Sequence, residues 1–344
     1  MASNPTEMLV KSQTRMALWL CVWLGLGTPA IAACGLTKVA EMPFIKLGSH
    51  YAVMVRIGEA LRPIIVDTGA EVTAITQSVA EELELKPDIS GEVHRSIGIG
   101  QTDAQEYRNV IAPVFALGNL VYRDRSMVVF TQDFGDKPEN DSIGLLGDDI
   151  LSNFDVEFDF PGQKLTFYRA SDCYDSFLPW TGNYSAIPFL HDRAKIVIDV
   201  ILNDERNQAI VDTGNNLSFV SRSLLKRWHI ADTSFSKTVG KIGSPLNGGT
   251  SFGIQMFTFD VVKIGYEIYP MIPMSIVDVD FALASINLGL DVWKVGKIWI
   301  SYPNKWMFVS KKDSTKIAYP VRTLDVKNAQ ADAGAPPERG RLEQ

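Results

Sequence analysis

The chain has 344 residues, of which 46% are hydrophobic, and its 33 Lys and Arg residues are outnumbered by 40 Asp and Glu residues. This composition is typical of a folded protein with a large core and excludes wholesale disorder. The net charge of −7 argues against nucleic acid as a partner. At this length we expect two domains of ordinary size.

The first 33 residues have the pattern of a secretory signal peptide. Lys11 and Arg15 precede an apolar run over residues 16–26, and small residues follow it. A positive segment, an apolar segment and a small-residue cleavage zone in this order indicate export. We therefore predict a signal peptide over residues 1–33.

The end of this segment also has the pattern of a lipid-attachment site. Residues 31–34, Ile-Ala-Ala-Cys, resemble the lipobox of bacterial lipoproteins. The resemblance implies that Cys34 is diacylated, becomes the mature N-terminus and tethers the protein to a membrane at the periplasmic face of a bacterial envelope. Two alternatives remain open, namely ordinary cleavage after Ala32 and an uncleaved membrane anchor. Outside this region Cys173 is left without a cysteine partner, so the fold is expected to form without disulfides.

The rest of the chain contains an internal sequence repeat. Residues 65–69, Ile-Val-Asp-Thr-Gly, recur at residues 210–214, which is an offset of 145. A later block, Leu-Gly-Asp-Asp-Ile-Leu at 146–151, matches Leu-Gly-Leu-Asp-Val-Trp at 288–293 with an offset of 142. The pattern predicts an internal duplication in which three residues are lost between the two blocks.

Each half is predicted to be rich in β-strands. Apolar residues alternate over 51–57 and 196–202, and Gly118-Asn119 splits two apolar runs as a hairpin turn would. Short helices are predicted over 78–85 and 223–228. The predicted organisation is an all-β, mostly antiparallel protein with a first lobe over 42–170, a connection over 171–184, a second lobe over 185–311 and a polar, disordered tail over 312–344.

The chemistry is expected at the two Asp-Thr-Gly triplets. They are Asp67-Thr68-Gly69 and Asp212-Thr213-Gly214, and each directly follows an apolar strand. A carboxylate at the end of a buried strand is costly unless its charge is shared or hydrogen-bonded. Glycine lets the loop approach a partner loop closely, and the threonine hydroxyl is able to bond across to it. One triplet alone is most often an ordinary turn, but two at equivalent positions of a duplication are a strong signal.

This duplicated pattern resembles the aspartic peptidases of the pepsin and retropepsin type over residues 42–311. The resemblance implies a two-lobed pepsin-like fold with a cleft between the lobes, in which Asp67 and Asp212 form the catalytic dyad. Thr68, Gly69, Thr213 and Gly214 would support the catalytic loops, and the downstream Leu-Gly blocks would pack behind them. Two carboxyls about 3 Å apart share one proton, a case that this family itself illustrates. Such a pair hydrolyses a peptide bond by activating water.

The resemblance is weaker at two places, the segment that would form the flap and the residue after the second triplet. Ile97, Gly98, Ile99 and Gly100 resemble the flap of retropepsins, although an interior strand with a bend is the competing interpretation. After the second triplet the chain has Asn215, where the family usually has Ser, Thr or Ala. This residue either bonds the outer oxygen of Asp212 or indicates altered acidity and weak activity.

Other chemistries find little support in the sequence. The four histidines form no zinc motif, and no nucleotide-binding loop or serine elbow occurs. Asp148, Asp149 and Asp291 lie where helix starts are expected, which we favour over a metal site. We predict a monomeric, membrane-tethered aspartic endopeptidase without cofactor that cuts exported polypeptides. The alternative is a catalytically silent peptide-binding protein with the same fold.

Overall fold

The computed structural model describes residues 35–90, 94–96, 105–130, 142–171, 180, 183–243, 251–281 and 283–311. All of these described residues belong to one compact unit. The predicted signal peptide, Cys34, the flap residues Ile97, Gly98, Ile99 and Gly100, and the predicted tail lie outside the described residues. Within the described part of the chain, no helix is long and apolar enough to cross a membrane.

The protein is mostly β-strand with few short helices, as the sequence predicts. The elements of the first lobe are β1 (Gly35–Pro43), β2 (Ile45–Leu47), β3 (His50–Ile57), β4 (Ala60–Val66), β5 (Ala74–Thr76), α1 (Gln77–Glu82), β6 (Lys86–Pro87), β7 (His94–Ser96), β8 (Gln105–Leu117), β9 (Leu120–Phe130), β10 (Gly144–Leu146), α2 (Asp148–Leu151), β11 (Asp155–Asp159) and β12 (Lys164–Ser171).

The second lobe repeats this order. Its elements are β13 (Tyr184–Asp192), β14 (Lys195–Leu202), β15 (Glu205–Val211), β16 (Phe219–Ser221), α3 (Arg222–Arg227), a 3-10 turn (Asp232–Ser234), β17 (Gly240–Gly243), β18 (Ser251–Ile264), β19 (Glu267–Val277), β20 (Ile286–Leu288), α4 (Leu290–Trp293), β21 (Gly296–Ser301) and β22 (Trp306–Lys311).

Six antiparallel strands join the two lobes in one continuous sheet. Their order is β1-β12-β11-β21-β22-β13, so that each lobe contributes three strands. At the centre, Glu157 of β11 faces Trp299 of β21. Because these two residues are 142 positions apart, the later offset of the duplication, each is the other's counterpart. The pseudo-two-fold axis of the molecule therefore passes through this strand pair.

The first strand begins earlier than the predicted boundary of the first lobe at residue 42. β1 starts at Gly35 and pairs with β12 from Gly35↔Ser171 to Pro43↔Lys164. Residues 35–41 are thus part of the sheet that joins the lobes. This segment is short and only partly apolar, and its place is decided by its partner strand rather than by its own periodicity.

The short helices form where the sequence predicts them, with shifted ends. The hydroxyl of Thr76 accepts a hydrogen bond from the backbone N–H of Val79 at the start of α1. Ser221 does the same for Ser223 at the start of α3. In both helices two neighbouring apolar side chains are buried against the adjoining sheet. Capping and burial on one side explain how helices of six residues persist.

In each lobe a long strand and a short parallel strand end side by side. In the first lobe the short strand β10 runs parallel to β4, with Leu146 opposite Val66. In the second lobe β20 runs parallel to β15, with Leu288 opposite Val211. Both Asp-Thr-Gly triplets therefore begin where a buried strand ends beside a parallel partner.

Candidate active site

The backbone of each triplet aspartate is fixed by the parallel neighbour strand. The N–H of Asp67 donates to the carbonyl of Leu146 at 3.1 Å, and the N–H of Asp212 donates to Leu288 at 2.9 Å. Both side chains are almost completely buried, with 9% and 7% exposure. The Leu-Gly blocks predicted to lie behind the loops thus hold them directly.

The two threonines cross-link the loops reciprocally. The N–H of Thr68 donates to Oγ1 of Thr213, and the N–H of Thr213 donates to Oγ1 of Thr68, both at 3.1 Å. Each hydroxyl in turn donates, at 2.8 Å, to a carbonyl that ends the opposite strand, Val211 for Thr68 and Val66 for Thr213. Four buried hydrogen bonds therefore hold the two loops in register across the pseudo-two-fold axis.

The two glycines allow the carboxyls to meet. A Cβ atom placed on Gly69 would lie 2.5–2.6 Å from the carboxyl of Asp212, and one on Gly214 would lie 2.2–2.4 Å from the carboxyl of Asp67. No side chain fits at either position without displacing the dyad. The structure thus brings together all six of the residues that the sequence assigns to the two loops.

Two hydroxyl residues brace the loops from behind, and the sequence analysis did not single them out. Thr73 donates to Asp149 from its N–H and its hydroxyl, both at 2.7 Å. Ser218 donates to Asp291 in the same way, at 2.9 and 2.6 Å. The hydroxyls then accept from the N–H groups of the two Leu-Gly glycines. The alignment of Thr73 with Ser218 at offset 145 was the available signal.

The acidic residues of the Leu-Gly blocks lie at helix starts, as predicted. Helix α2 begins at Asp148, and α4 begins one residue before Asp291. Asp149 and Asp291 additionally accept the bonds of the bracing hydroxyls. Among the residues that the structure describes, no group of three His, Cys, Asp or Glu side chains is arranged to hold a metal ion.

Asp212 receives many hydrogen bonds. Its Oδ1 accepts from the N–H of Gly214 at 2.9 Å and from that of Asn215 at 3.2 Å. Its Oδ2 accepts from the side-chain amides of Asn215 at 2.6 Å and Asn287 at 2.8 Å. Of the two interpretations that the sequence left open for Asn215, the geometry agrees with a bond to the outer oxygen of Asp212. Asn287, which directly precedes the second Leu-Gly block, is a partner of Asp212 that the sequence analysis did not identify.

Asp67 is held by fewer bonds. Its Oδ1 accepts from the N–H of Gly69 at 2.7 Å. Burial raises the pKa of Asp67 well above its ordinary value, and the neighbouring Asp212 charge raises it further. The ammonium group of Lys195 acts in the opposite direction but does not reverse the shift. A proton on Asp67 is therefore favoured in the folded protein.

Two side chains at equivalent positions of the repeat reach across the pseudo-two-fold axis between the lobes. Lys195 at the start of β14 donates to the carbonyl of Gly69, and its counterpart at offset 145, His50 at the start of β3, contacts Asn216 at 3.3 Å. Burial lowers the pKa of His50, although the Gly214 backbone and the Asp212 charge oppose this. Each lobe thus places one nitrogen-bearing side chain beside the Asp-Thr-Gly loop of the other.

Another polar contact between the lobes involves His191 and Asp148. Nε2 of His191 lies 2.8 Å from Oδ1 of Asp148, and the ring of His191 meets that of Tyr302 edge to face. The Tyr302 side chain is buried, and burial raises its pKa well above the ordinary value, with the charges of Asp148 and Asp67 adding to the effect. These residues lie on the Asp67 side of the dyad.

Comparisons with known proteins agree with this geometry. Residues 53–150 match the family model described as aspartyl protease, a span that includes the first Asp-Thr-Gly triplet. The aspartic proteinase from Irpex lacteus has a similar crystal structure, with a TM-score of 0.50 and 14% identity, over 83% of this chain and 99% of that chain. No curated protein matches the sequence significantly. The structural likeness shows the pepsin-like fold with two lobes, and the family model matches the part of the first lobe that carries its Asp-Thr-Gly triplet.

Proposed function

We propose that this protein is an aspartic endopeptidase that hydrolyses peptide bonds of exported polypeptides. The observation that carries the proposal is the packing of each aspartate carboxyl against the glycine of the opposite triplet, where neither Gly69 nor Gly214 leaves room for a single additional carbon atom. The reciprocal threonine bonds fix this geometry from both lobes. Since one chain supplies both aspartates, the active species is expected to be a monomer.

The proposed reaction uses the pair as acid and base together. The ionised carboxyl takes a proton from a bound water while the other carboxyl gives its proton to the oxygen of the peptide carbonyl. A new carbon–oxygen bond forms, and the product of this step is a neutral tetrahedral diol. The carbon–nitrogen bond then breaks as the carboxyl that deprotonated the water gives its proton to the amine nitrogen and a diol hydroxyl gives a proton to the other carboxyl, which restores the starting pair. No covalent bond to the enzyme is required.

The proposed substrates and cellular location of the protein follow from the first 34 residues. A signal peptide over residues 1–33 would export the chain, and acylation of Cys34 would hold it at the periplasmic face of a membrane. The flap proposed at Ile97, Gly98, Ile99 and Gly100 would close over bound polypeptide. Residues 35–43 form the strand β1, so the tether at Cys34 would connect directly to the sheet that joins the lobes.

A proteolysis assay tests the proposal against a silent peptide-binding protein. The mature chain is incubated with an unbiased peptide library from pH 3 to pH 8, and cleavage is followed by mass spectrometry. We expect cleavage by the wild type and none by Asp67→Asn or Asp212→Asn, because both carboxyls act in one proton cycle. Peptide binding without cleavage by the wild type would favour the silent binder and overturn the proposal.

A transition-state analogue provides an independent measurement. A statine-type inhibitor has a tetrahedral, hydroxyl-bearing carbon where the substrate has its scissile carbonyl, and it is expected to bind the wild type much more tightly than a matched peptide without that hydroxyl. Either Asn variant should lose most of this difference. Equal affinity of the two ligands for the wild type would contradict a functional dyad.

A further inference from the structure

The surroundings of the two aspartates differ although the lobes repeat. After the first triplet comes Ala70, and its counterpart after the second is Asn215, at offset 145. Before the first Leu-Gly pair comes Leu145, and its counterpart is Asn287, at offset 142. An apolar pair beside Asp67 is therefore replaced by a pair of amides beside Asp212.

The amide pair forms a small network that points at one oxygen. Nδ2 of Asn287 and Nδ2 of Asn215 both donate to Oδ2 of Asp212, and Nδ2 of Asn215 also lies 3.3 Å from Oδ1 of Asn287. Asn287 is 97% buried, with 3% exposure, so water does not compete for its amide. An amide N–H has no lone pair to accept with, and the Asp212 oxygen must therefore be the acceptor.

The apolar pair offers nothing comparable to Asp67. Leu145 is buried in an apolar cluster with Ala52 and Ile65, and Ala70 packs against the same cluster. Among the described residues, no side-chain amide donates to either oxygen of Asp67. Bonds from N–H donors favour the charged form of a carboxyl, and apolar burial favours its neutral form.

We propose that Asn215 and Asn287 are positioning residues that hold Asp212 as the ionised member of the pair, so that Asp67 carries the shared proton. The inference deepens the proposed peptidase function and rests on it. Asp212 would then take the proton from water, and Asp67 would protonate the peptide carbonyl. Asn215 and Asn287 would thus determine which aspartate acts as the base and which as the acid, although neither asparagine exchanges a proton itself.

The other charged and titratable groups near the pair leave this order in place. Lys195 faces Asp67 from β14 and favours its charged form, yet burial and the Asp212 charge outweigh it. His50 faces Asp212 from β3, where burial favours a neutral imidazole. Tyr302 lies near Asp67, and the raised pKa of its phenol keeps it neutral at the pH of interest.

The duplication supplies the matched variants for a test. Asn287→Leu and Asn215→Ala install beside Asp212 the residues that the chain already carries beside Asp67. Each removes one donor to the ionised carboxyl, so protonation of Asp212 becomes easier and the acidic limb of the kcat/KM profile moves to higher pH, by about 1 pH unit. The alkaline limb should move much less. We expect kcat to fall on the acidic side while KM changes little.

The reciprocal change and a neutral control complete the series. Leu145→Asn places an amide beside Asp67, and we expect the alkaline limb to move to lower pH. Asn207→Ala removes an amide that bonds only a local carbonyl, that of Glu205, and should leave both limbs unchanged. An acidic limb that stays in place in both Asn287→Leu and Asn215→Ala would overturn the proposal.

A titration that needs no turnover separates this inference from the proposed function. The full mature chain is labelled with carbon-13 at the Asp carboxyls, and the remaining dyad carboxyl is titrated in Asp67→Asn and in Asp212→Asn. We expect Asp212, in the first variant, to titrate at lower pH than Asp67 does in the second. The opposite order would overturn the proton placement. If this order holds while the wild type cleaves no peptide, the proton placement stands and the peptidase function fails.

Discussion

The reciprocal threonine bonds predict a large effect from a change of one oxygen atom. Thr213→Val keeps the shape of the side chain but removes the hydroxyl that donates to Val66 and accepts from Thr68. Thr213 is 2% exposed, so water does not replace the lost partner. A buried polar group left without its bond costs about 1–3 kcal/mol. With two groups affected, we expect the free energy of unfolding to fall by about 2–6 kcal/mol.

Activity should fall as well, because the same bonds set the distance between the carboxyls. A misplacement of about 1 Å at a reacting group costs on the order of 100-fold in rate. We therefore expect kcat to drop by about this factor in Thr213→Val. Urea unfolding followed by tryptophan fluorescence measures the stability, and cleavage of one library-derived peptide measures kcat.

The control for this prediction is Thr213→Ser, which keeps the hydroxyl and removes only a methyl group. We expect it to retain most of the stability and activity. The mirror variant Thr68→Val should behave like Thr213→Val, since the bonds of the two residues have the same lengths. Equal unfolding free energies for Thr213→Val and Thr213→Ser would refute the reasoning, because the hydroxyl would then carry no energy.

Three further changes have distinct expected outcomes. Burial and Asp212 raise the pKa of Asp67 in the folded protein, so the wild type loses stability as the pH rises above about 3.9. Asp67→Asn should therefore be more stable than the wild type at pH 7 but not at pH 3. Thermal unfolding at the two pH values checks this, and a variant less stable than the wild type at pH 7 contradicts it. Gly214→Ala places a methyl carbon 2.2–2.4 Å from the Asp67 carboxyl and should lower kcat by about 100-fold or more, whereas Gly240→Ala, whose Cβ meets no described atom closer than 3.9 Å, should leave kcat unchanged. Cys34→Ser should move the protein from the membrane to the soluble or unprocessed fraction, and mass spectrometry that finds an unmodified mature N-terminus in the wild type would refute the lipid anchor.

The duplication made most of the fold predictable. Once the triplets were aligned at offset 145, the strands and helices beside them followed in both halves. The spacing between the blocks was less simple than a loss of three residues: the hairpin turns at Gly118 and Gly265 are 147 positions apart, so two residues are gained before the hairpin and five are lost after it. Sequence alone does not place such compensating changes, because hairpin strands differ in length without changing their apolar pattern.

The site was predictable where residues repeat and obscure where they do not. Asp67 and Asp212 stood out because the same triplet occurs twice. Asn287 was hidden inside an apolar block, since a pattern of hydrophobicity does not reveal which neighbour a polar side chain meets. Lys195 and His50 come from hairpins remote in sequence from the loops they contact, and only the packing of the two lobes brings them there.

The charges on the central strand β11 bear on how the chain avoids pairing with a second copy of itself. Asp155, Glu157 and Asp159 lie on the edge that β21 covers, and β21 is synthesised about 140 residues later, a delay of roughly 7–30 s at the usual rate of synthesis. If two copies of β11 met in the register that β11 uses with β21, Glu157 would face Glu157 and Asp155 would face Asp159. Like charges opposed across strands are destabilising, and charged residues on an exposed edge discourage association. Lys297 of β21 instead lies opposite Asp159 and 2.8 Å from its carboxylate, so the charges of β11 disfavour pairing with a second copy of this strand and favour pairing with β21.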